Sequence, residues 1–356
     1  MNKTIHFFAQ DEGSVKALLP VYDLCSSRAG MKTRFYSAKY GLKFLERRCI
    51  ACCEFPGTEP YPVGNEPPDL IVAGASPWDS IEKQAIAHGR AHGIPSLVIV
   101  DHGSNFWRRF TVTGERNCSA LPDVILAPDE ESRDSMCHDG FPPGLIIVTG
   151  NPYFDAFQPA AGGRAAPHKP VILCIMQPDY TGGRYCSDAS WLTIIQGLAE
   201  EFASRASVIV RPHHKEDNEF YRPLAQMGVN VDNSSDITDL IITSDVVIGK
   251  NSTSLIEAVF RGKVVISLGC GESQFERLPT ERMGLSADAR SVNELREWIG
   301  KSLLQAPVPR KLKKIRYYND GRNTERAAAC LLRMLEMERP ASKGGETALP
   351  GRIANG

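Results

Sequence analysis

The stretch GKNSTSLIEAVFRGKVVISLG, residues 249 to 269, sets Asn251, Ser252, Thr253 and Ser254 between an apolar run and an amphipathic pattern. Hydroxyl side chains at the start of a helix have two uses. One is capping, and Ser254 with Glu257 has the S-x-x-E spacing of a capping box. The other is anion binding, because the hydroxyls add donors to unpaired backbone N–H groups at the positive end of the helix dipole. Lys250 adds charge beside them. In RPHHKED, Arg211, His213 and His214 bring further donors to phosphate oxygens, at what the spacing predicts to be the neighbouring strand end. A diphosphate would be well served between the two groups. The TGG of QPDYTGG reads by itself as a turn.

These residues need a scaffold, and the apolar pattern supplies one. Runs rich in β-branched residues (TIHFFA at 4–9, KTRFYS at 32–37, DLIVAG at 69–74, SLVIVD at 96–101, DVILAP at 123–128, LIIVTG at 145–150) alternate with amphipathic segments such as DSIEKQAIAHGRAHG, whose closing glycine predicts a C-cap. This rhythm predicts a parallel sheet covered on both faces. It pauses at 158–169, rich in Pro, Gly and Ala, and restarts with VILCIMQ, SVIVRP, GVNVD, DVVIG and VVISLG. The expected organisation is therefore α/β: a domain over 1–157, a linker over 158–169, a second domain over 170–322, a closing helix over 323–338 and a disordered tail over 339–356. In open parallel sheets ligands bind beyond the carboxyl ends of the strands, which is where the polar stretches fall.

The 356 residues suit two cores, with 42% apolar and 23% charged residues, a soluble balance. The formal net charge of −1 gives no overall footprint for nucleic acid. A local basic stretch, PRKLKKIR at 309–316, is a solvated helix start or linker, or a peripheral contact with a membrane surface. Cysteines scattered through apolar stretches, with no second CxxC, predict buried thiols in a reducing compartment and no zinc site. Without D-x-D or a two-His helix face, no metal is indicated, and no run approaches a membrane span, so a cytoplasmic location is expected.

VTGNPYFD, VIVRPHHKE and SDVVIGKNSTSLIEAVFRGKVVISLG, spread over about 145–270, together with NDGRNTERAAACLLRML, resemble the sugar-nucleotide enzymes of the GT-B class. That class includes cell-envelope glycosyltransferases, CDP-glycerol glycerophosphotransferases and UDP-N-acetylglucosamine 2-epimerases. The resemblance implies two Rossmann-like domains whose sheets face across a cleft. It implies a nucleotide diphosphate on Ser252, Thr253 and Ser254, with Arg211 and His213 as donors to its phosphates and Glu257 near ribose or sugar hydroxyls. Gly182 and Gly183 would let the first loop of the second domain approach the donor.

Transfer also needs a base for the acceptor hydroxyl. In VDHGSNFW, Asp101 is placed to orient His102 as that base, and the stretch resembles the H-G-[ST] of glycerophosphotransferases; the alternative is a capped loop with a surface histidine. Asp11 and Glu12 are the second choice. Trp78, Phe106 and Trp107 are candidates for a sugar-stacking surface. The 2-epimerases' GERP-like stretch is missing, TGERNCSALPD being the nearest text, and the usual RPHP is RPHH here. The expected function is metal-independent transfer of a sugar or glycerol phosphate, without cofactor, from a nucleotide-activated donor to a surface polysaccharide or lipid-linked acceptor. A sugar-nucleotide epimerase or hydrolase, and a non-catalytic subunit of the same fold, stay open.

Overall fold

A computed structural model describes residues 3–55, 67–77, 79–102, 106–157, 169–181, 184–186, 189–213, 216–250, 252–268, 279–304 and 315–336. They form two units, one from the segments Met1–Ala156 and Lys314–Gly356, the other from Phe157–Lys313.

The first unit has seven strands: β1 (Lys3–Ala9), β2 (Met31–Ser37), β3 (Cys53–Glu54), β4 (Leu70–Ala73), β5 (Ser96–Ile99), β6 (Val124–Ala127) and β7 (Ile146–Val148). All pair in parallel, in the order β3-β2-β1-β4-β5-β6-β7. Neighbours along each strand fall into different cores. Phe8, Ile71, Val98 and Ile125 belong to one cluster, and Phe7, Val72, Leu97 and Leu126 to the other, so both faces are covered and the strands read as continuous apolar runs. Helices α1 (Glu12–Ser26), α2 (Lys39–Arg47), α3 (Ile81–Ala91), α4 (Phe106–Phe110) and α5 (Glu130–His138) connect them. The glycine expected to end α3 does so: Gly93 has φ +65°, its N–H donates to Arg90 O (3.4 Å), and that of Ile94 donates to Gly89 O (2.8 Å), the Schellman pattern.

The second unit repeats the plan with β8 (Val171–Ile175), β11 (Ser207–Arg211), β12 (Asn230–Val231), β13 (Val246–Gly249), β14 (Val264–Leu268) and β15 (Ala287–Ala289), parallel in the order β12-β11-β8-β13-β14-β15. A hairpin of β9 (Asp179–Thr181) and β10 (Arg184–Cys186) follows β8. The helices are α6 (Ala189–Phe202), α7 (Arg222–Gln226), α8 (Ile237–Thr243), α9 (Thr253–Phe260), α10 (Pro279–Arg282) and α11 (Val292–Leu304). The pattern did not announce β3, β15 or the hairpin, because two- or three-residue strands such as Cys53–Glu54 are too short to show a period.

The closing helix α12 (Asn323–Glu336) returns to the first unit, where Ala327, Ala328, Leu331 and Leu335 join the core that α1 covers. The motif NPYFD positions it. Asp155 takes the Asn323 and Thr324 N–H groups on its two carboxylate oxygens (3.0 and 2.7 Å), an N-terminal cap supplied from another segment. Gly150, at φ +84°, is needed here because a Cβ would overlap Asn323. Residues 337–338 of the expected helix, the tail, and the linker apart from Lys169 lie outside the described residues.

The described cysteines are free, but only Cys25 and Cys174 are buried; Cys49, Cys53 and Cys118 are exposed, so the expectation of buried thiols is corrected. Cys49 lies in the turn after α2, Cys53 on the two-residue strand β3 and Cys118 in a single 3-10 turn, all outside the long apolar periodic segments. Among the described residues no helix is long and apolar enough to cross a membrane.

Candidate functional site

In each sheet the chain reverses its direction of growth once, between β1 and β4 and between β8 and β13. The loops leaving those strand ends diverge and open a crevice, the usual ligand position of such sheets. Of the second unit's sequence candidates, Lys250, Ser252, Thr253 and Ser254 lie there, at the end of β13. Ser252 is the N-cap of α9, immediately beyond β13, and its Oγ accepts from Ser254 N (3.2 Å). Glu257 does not reach back to the cap. Its Oε1 instead accepts from Thr238 Oγ1 (2.9 Å) and Arg261 Nε (2.8 Å), a buried ion pair one turn along the helix. The capping box expected at Ser254 and Glu257 is therefore replaced by a simple Ser252 cap, because α9 begins at Thr253. Ser252, Thr253, Ser254 and Lys250 are all partly exposed. Gly249 lets the end of β13 close on β8: a Cβ there would stand 3.0 Å from Ile175 O.

Arg211 and His213 follow β11, which pairs with β8 rather than with β13. The expectation of a neighbouring strand end is corrected, since the central strand β8 separates them from Ser252 by two strand spacings, roughly 10 Å. Arg211 also donates to Asp232 O (3.1 Å), and the His213 N–H donates to Glu216 Oε2 (3.0 Å). Asp232 itself, although burial works to raise it, is held down to about 2 by hydrogen bonds from Ser235 and Ser234. Gly182, Gly183, His214 and Asn251 lie outside the described residues.

At the crevice of the first unit the polar groups differ. Asp11 is the N-cap of α1, and its N–H donates to Ser76 Oγ (3.1 Å). Ser14 Oγ accepts from Ala75 N (3.2 Å) and meets Ser76 Oγ (3.2 Å), which in turn donates to Glu82 Oε1. The same carboxyl oxygen accepts from Gln10 N (2.9 Å). One connected network thus joins the loops after β1 and β4 to the first turns of α1 and α3. Two cations grip the β4 loop by its carbonyls: Arg109 on Ala75 O (2.7 Å) and Lys83 on Ser76 O (2.8 Å). Burial, the largest influence, brings the Lys83 amine down to about 8.

Asp101, at the end of β5, gives Oδ1 to Arg109 (2.8 Å), and a Cβ on Gly13 would lie 2.4 Å from its Oδ2. Its carboxylate therefore stands beside the first turn of α1 and is tied to a buried guanidinium. Asn151 of NPYFD donates to Asp101 O (3.0 Å) and so holds the backbone that carries His102, itself partly exposed. Glu12 pairs with Lys16 (2.8 Å) and Arg47 (3.5 Å). The predicted stacking surface is corrected: Phe106 and Trp107 are buried core residues, Trp107 lying 4.1 Å from Phe141 with its Nε1–H on Asp139 O. Trp78 lies outside the described residues, as does 309–314. Sequence reasoning marked Ser76 only as part of a polar strand end and missed Ser14, Glu82, Lys83 and Arg109; the signal for Ser14, Glu82 and Lys83 was position at a helix start, and Arg109, in the last turn of α4, had none. Among the described residues no group of three or more His, Cys, Asp or Glu side chains is placed to hold a metal ion.

No family model matches this chain, and no curated protein does. Solved structures do match. A Listeria monocytogenes protein described as a UDP-N-acetylglucosamine 2-epimerase superposes with a TM-score of 0.71 at 14% identity, covering 96% of this chain and 99% of its own. The UDP-GlcNAc 2-epimerase of Neisseria meningitidis, bound to UDP-GlcNAc, gives 0.61 at 15% identity over 93% and 100%. The glycotransferase of kitacinnamycin gives 0.61 at 14% over 94% and 100%. The fold of this chain is thus GT-B-like, two Rossmann-like units built on parallel sheets.

Proposed function

We propose that this chain acts on a nucleotide-activated donor, holding its diphosphate at the start of α9, and that its reaction is transfer of the sugar from a nucleoside-diphosphate sugar, or of glycerol phosphate from a nucleoside-diphosphate glycerol, to a carbohydrate or lipid-linked acceptor. The observation that carries the reading is the partly exposed Ser252–Ser254 helix start, with Lys250 beside it, at the strand-order reversal of the second sheet. Backbone donors, hydroxyls and a cation there suit phosphate oxygens. The corresponding crevice of the first unit holds the carboxylates of Asp11 and Asp101, and its cations Arg109 and Lys83 hold the carbonyls of Ala75 and Ser76 and, for Arg109, the Asp101 carboxylate. Carboxylate oxygens there suit hydroxyl groups that donate hydrogen bonds. In this reading the donor's phosphates belong to the second unit and polyhydroxyl groups to the first. His102, on a backbone fixed by Asn151, is the candidate base for the acceptor hydroxyl.

A second reading, epimerisation at the sugar of the same donor, is favoured by the predominance of UDP-GlcNAc 2-epimerases among the structural neighbours. The two separate in one experiment. UDP-GlcNAc is incubated with the protein and its fate followed by anion-exchange chromatography and NMR. Transfer requires that the donor persists until a carbohydrate or lipid-linked acceptor is added; conversion without acceptor favours the epimerase or hydrolase. In the transferase reading His102→Ala abolishes turnover and leaves UDP affinity unchanged.

A further inference from the structure

We propose that Glu82 is a positioning residue of the first unit: it fixes Ser76 and the Gln10–Asp11 turn, and through them the crevice between β1 and β4 in which the polyhydroxyl group is handled. The inference rests on the reading above for what the crevice holds, but its geometry stands apart from that reading. Glu82 is 1% exposed, and its Oε1 collects both Gln10 N–H and Ser76 O–H, one from each of the two diverging loops. Ser76 passes the connection on to Asp11 N and Ser14 Oγ. Lys83, the next residue, grips the carbonyl of the same Ser76, and Arg109 that of Ala75. Glu82 thus bonds directly to both diverging loops, at Gln10 N and Ser76 Oγ, and the β4 loop that it holds through Ser76 also carries the contacts of Asp11, Lys83 and Arg109.

The other carboxyl oxygen, Oε2, is buried with no hydrogen-bond partner. A full negative charge on a carboxylate with one oxygen undonated is costly. The direction of its titration agrees: burial pushes the Glu82 carboxyl up, Asp11 adds to the push, and the hydrogen bonds from Ser76, Gln10 N and its own N–H oppose it. The charged groups that act on it are Asp11, from the turn after β1, and Lys83, the next residue of α3, which in turn feels Arg109 from α4 and Asp79 from the turn before α3. Glu82 thus accepts two hydrogen bonds on one oxygen while burial works against its charge, and an amide carbonyl in its place would accept the same two.

The test compares the wild type with Glu82→Gln, Glu82→Ala and Ser76→Ala, each checked for folding by circular dichroism and thermal melting. Three readouts are taken: UDP affinity, steady-state turnover of UDP-GlcNAc, and the pH dependence of acetylation at Lys83, followed by mass spectrometry. Glu82→Gln is expected to keep kcat within about threefold and to leave the Lys83 titration in place, while Glu82→Ala and Ser76→Ala keep UDP affinity, lose kcat by thirtyfold or more, and return Lys83 toward the ordinary lysine range. Folded Glu82→Ala with wild-type kcat and an unmoved Lys83 would overturn the proposal, as would Glu82→Gln as impaired as Glu82→Ala. If the wild type binds no UDP and turns over no UDP-GlcNAc, the functional reading falls, and the Lys83 titration alone decides the positioning role. Should Glu82→Ala not fold, Ser76→Ala carries the same test.

Discussion

Gly13 has room for a hydrogen and little else, since a Cβ would lie 2.4 Å from Asp101 Oδ2. Gly13→Ala is expected to push that carboxylate off Arg109 and to destabilise the first unit by about 1–3 kcal/mol in urea unfolding; an unchanged midpoint would contradict the packing described. His6 offers a test by pH. Burial, with Arg34 and then Lys32 adding to it, lowers its imidazole from 6.5 to about 4. The unfolded chain therefore binds a proton that the native chain refuses. The native state keeps its full margin above pH 6.5 and loses it as pH falls from 6.5 to 4, by on the order of 3 kcal/mol. His6→Phe, placed among Phe8 and Tyr36, should flatten stability over that window, and superimposable profiles would count against the assignment. At this scale the sequence was only partly readable. Ser252 and Asp101 were legible because hydroxyls before an apolar helix and an acid after a strand are local signals. Glu82 and Arg109 were not, because their meaning comes from partners at positions 10, 76 and 101, which only the folded chain assembles.

Two helix starts, those of α9 and α12, are built in different ways. In α9 the cap is local: Ser252 accepts from Ser254 N. Ser252→Ala should cost about 1 kcal/mol of stability, whereas Ser254→Ala, which keeps its backbone N–H, should cost much less; equal losses would restore the capping-box expectation. In α12 the cap comes from afar, through Asp155, and Asp155→Ala should cost about 1–2 kcal/mol in thermal or urea unfolding, with Asp155→Asn between the two. A wild-type midpoint for Asp155→Ala would contradict the cap. Helical periodicity made α12 visible in the sequence as a helix in need of a core, but not which core. That followed from Asp155 and from Leu331 and Leu335 lying with the residues of α1. Strand order escaped the sequence for a related reason. Alternating β and α segments predict a parallel sheet, yet only pairing determines that β8 lies between β11 and β13, and hence that Arg211 stands farther from Ser252 than chain order suggests.

The whole molecule combines two sheets of one architecture, each with polar groups at its strand-order reversal, and the proposed reading assigns phosphates to the second crevice and hydroxyl groups to the first. The architecture was legible because fully buried parallel strands impose continuous apolar runs that no loop imitates. That partition was not, because it depends on partners that only folding brings together, such as Arg109 with Ala75 O and Asp101. If the partition governs binding, nucleotide affinity should reside in the second unit and be insensitive to changes at the first. The most direct measurement is titration calorimetry of UDP and UDP-GlcNAc against the wild type, a Ser252→Ala, Ser254→Ala double variant and an Asp101→Asn variant, with melting curves to confirm that each is folded. The expected result is one nucleotide per chain, bound by the wild type and by Asp101→Asn alike and at least tenfold more weakly by the double variant. No binding to the wild type, or undiminished binding to the double variant, would contradict the account and leave the hydroxyls of α9 as a helix cap alone.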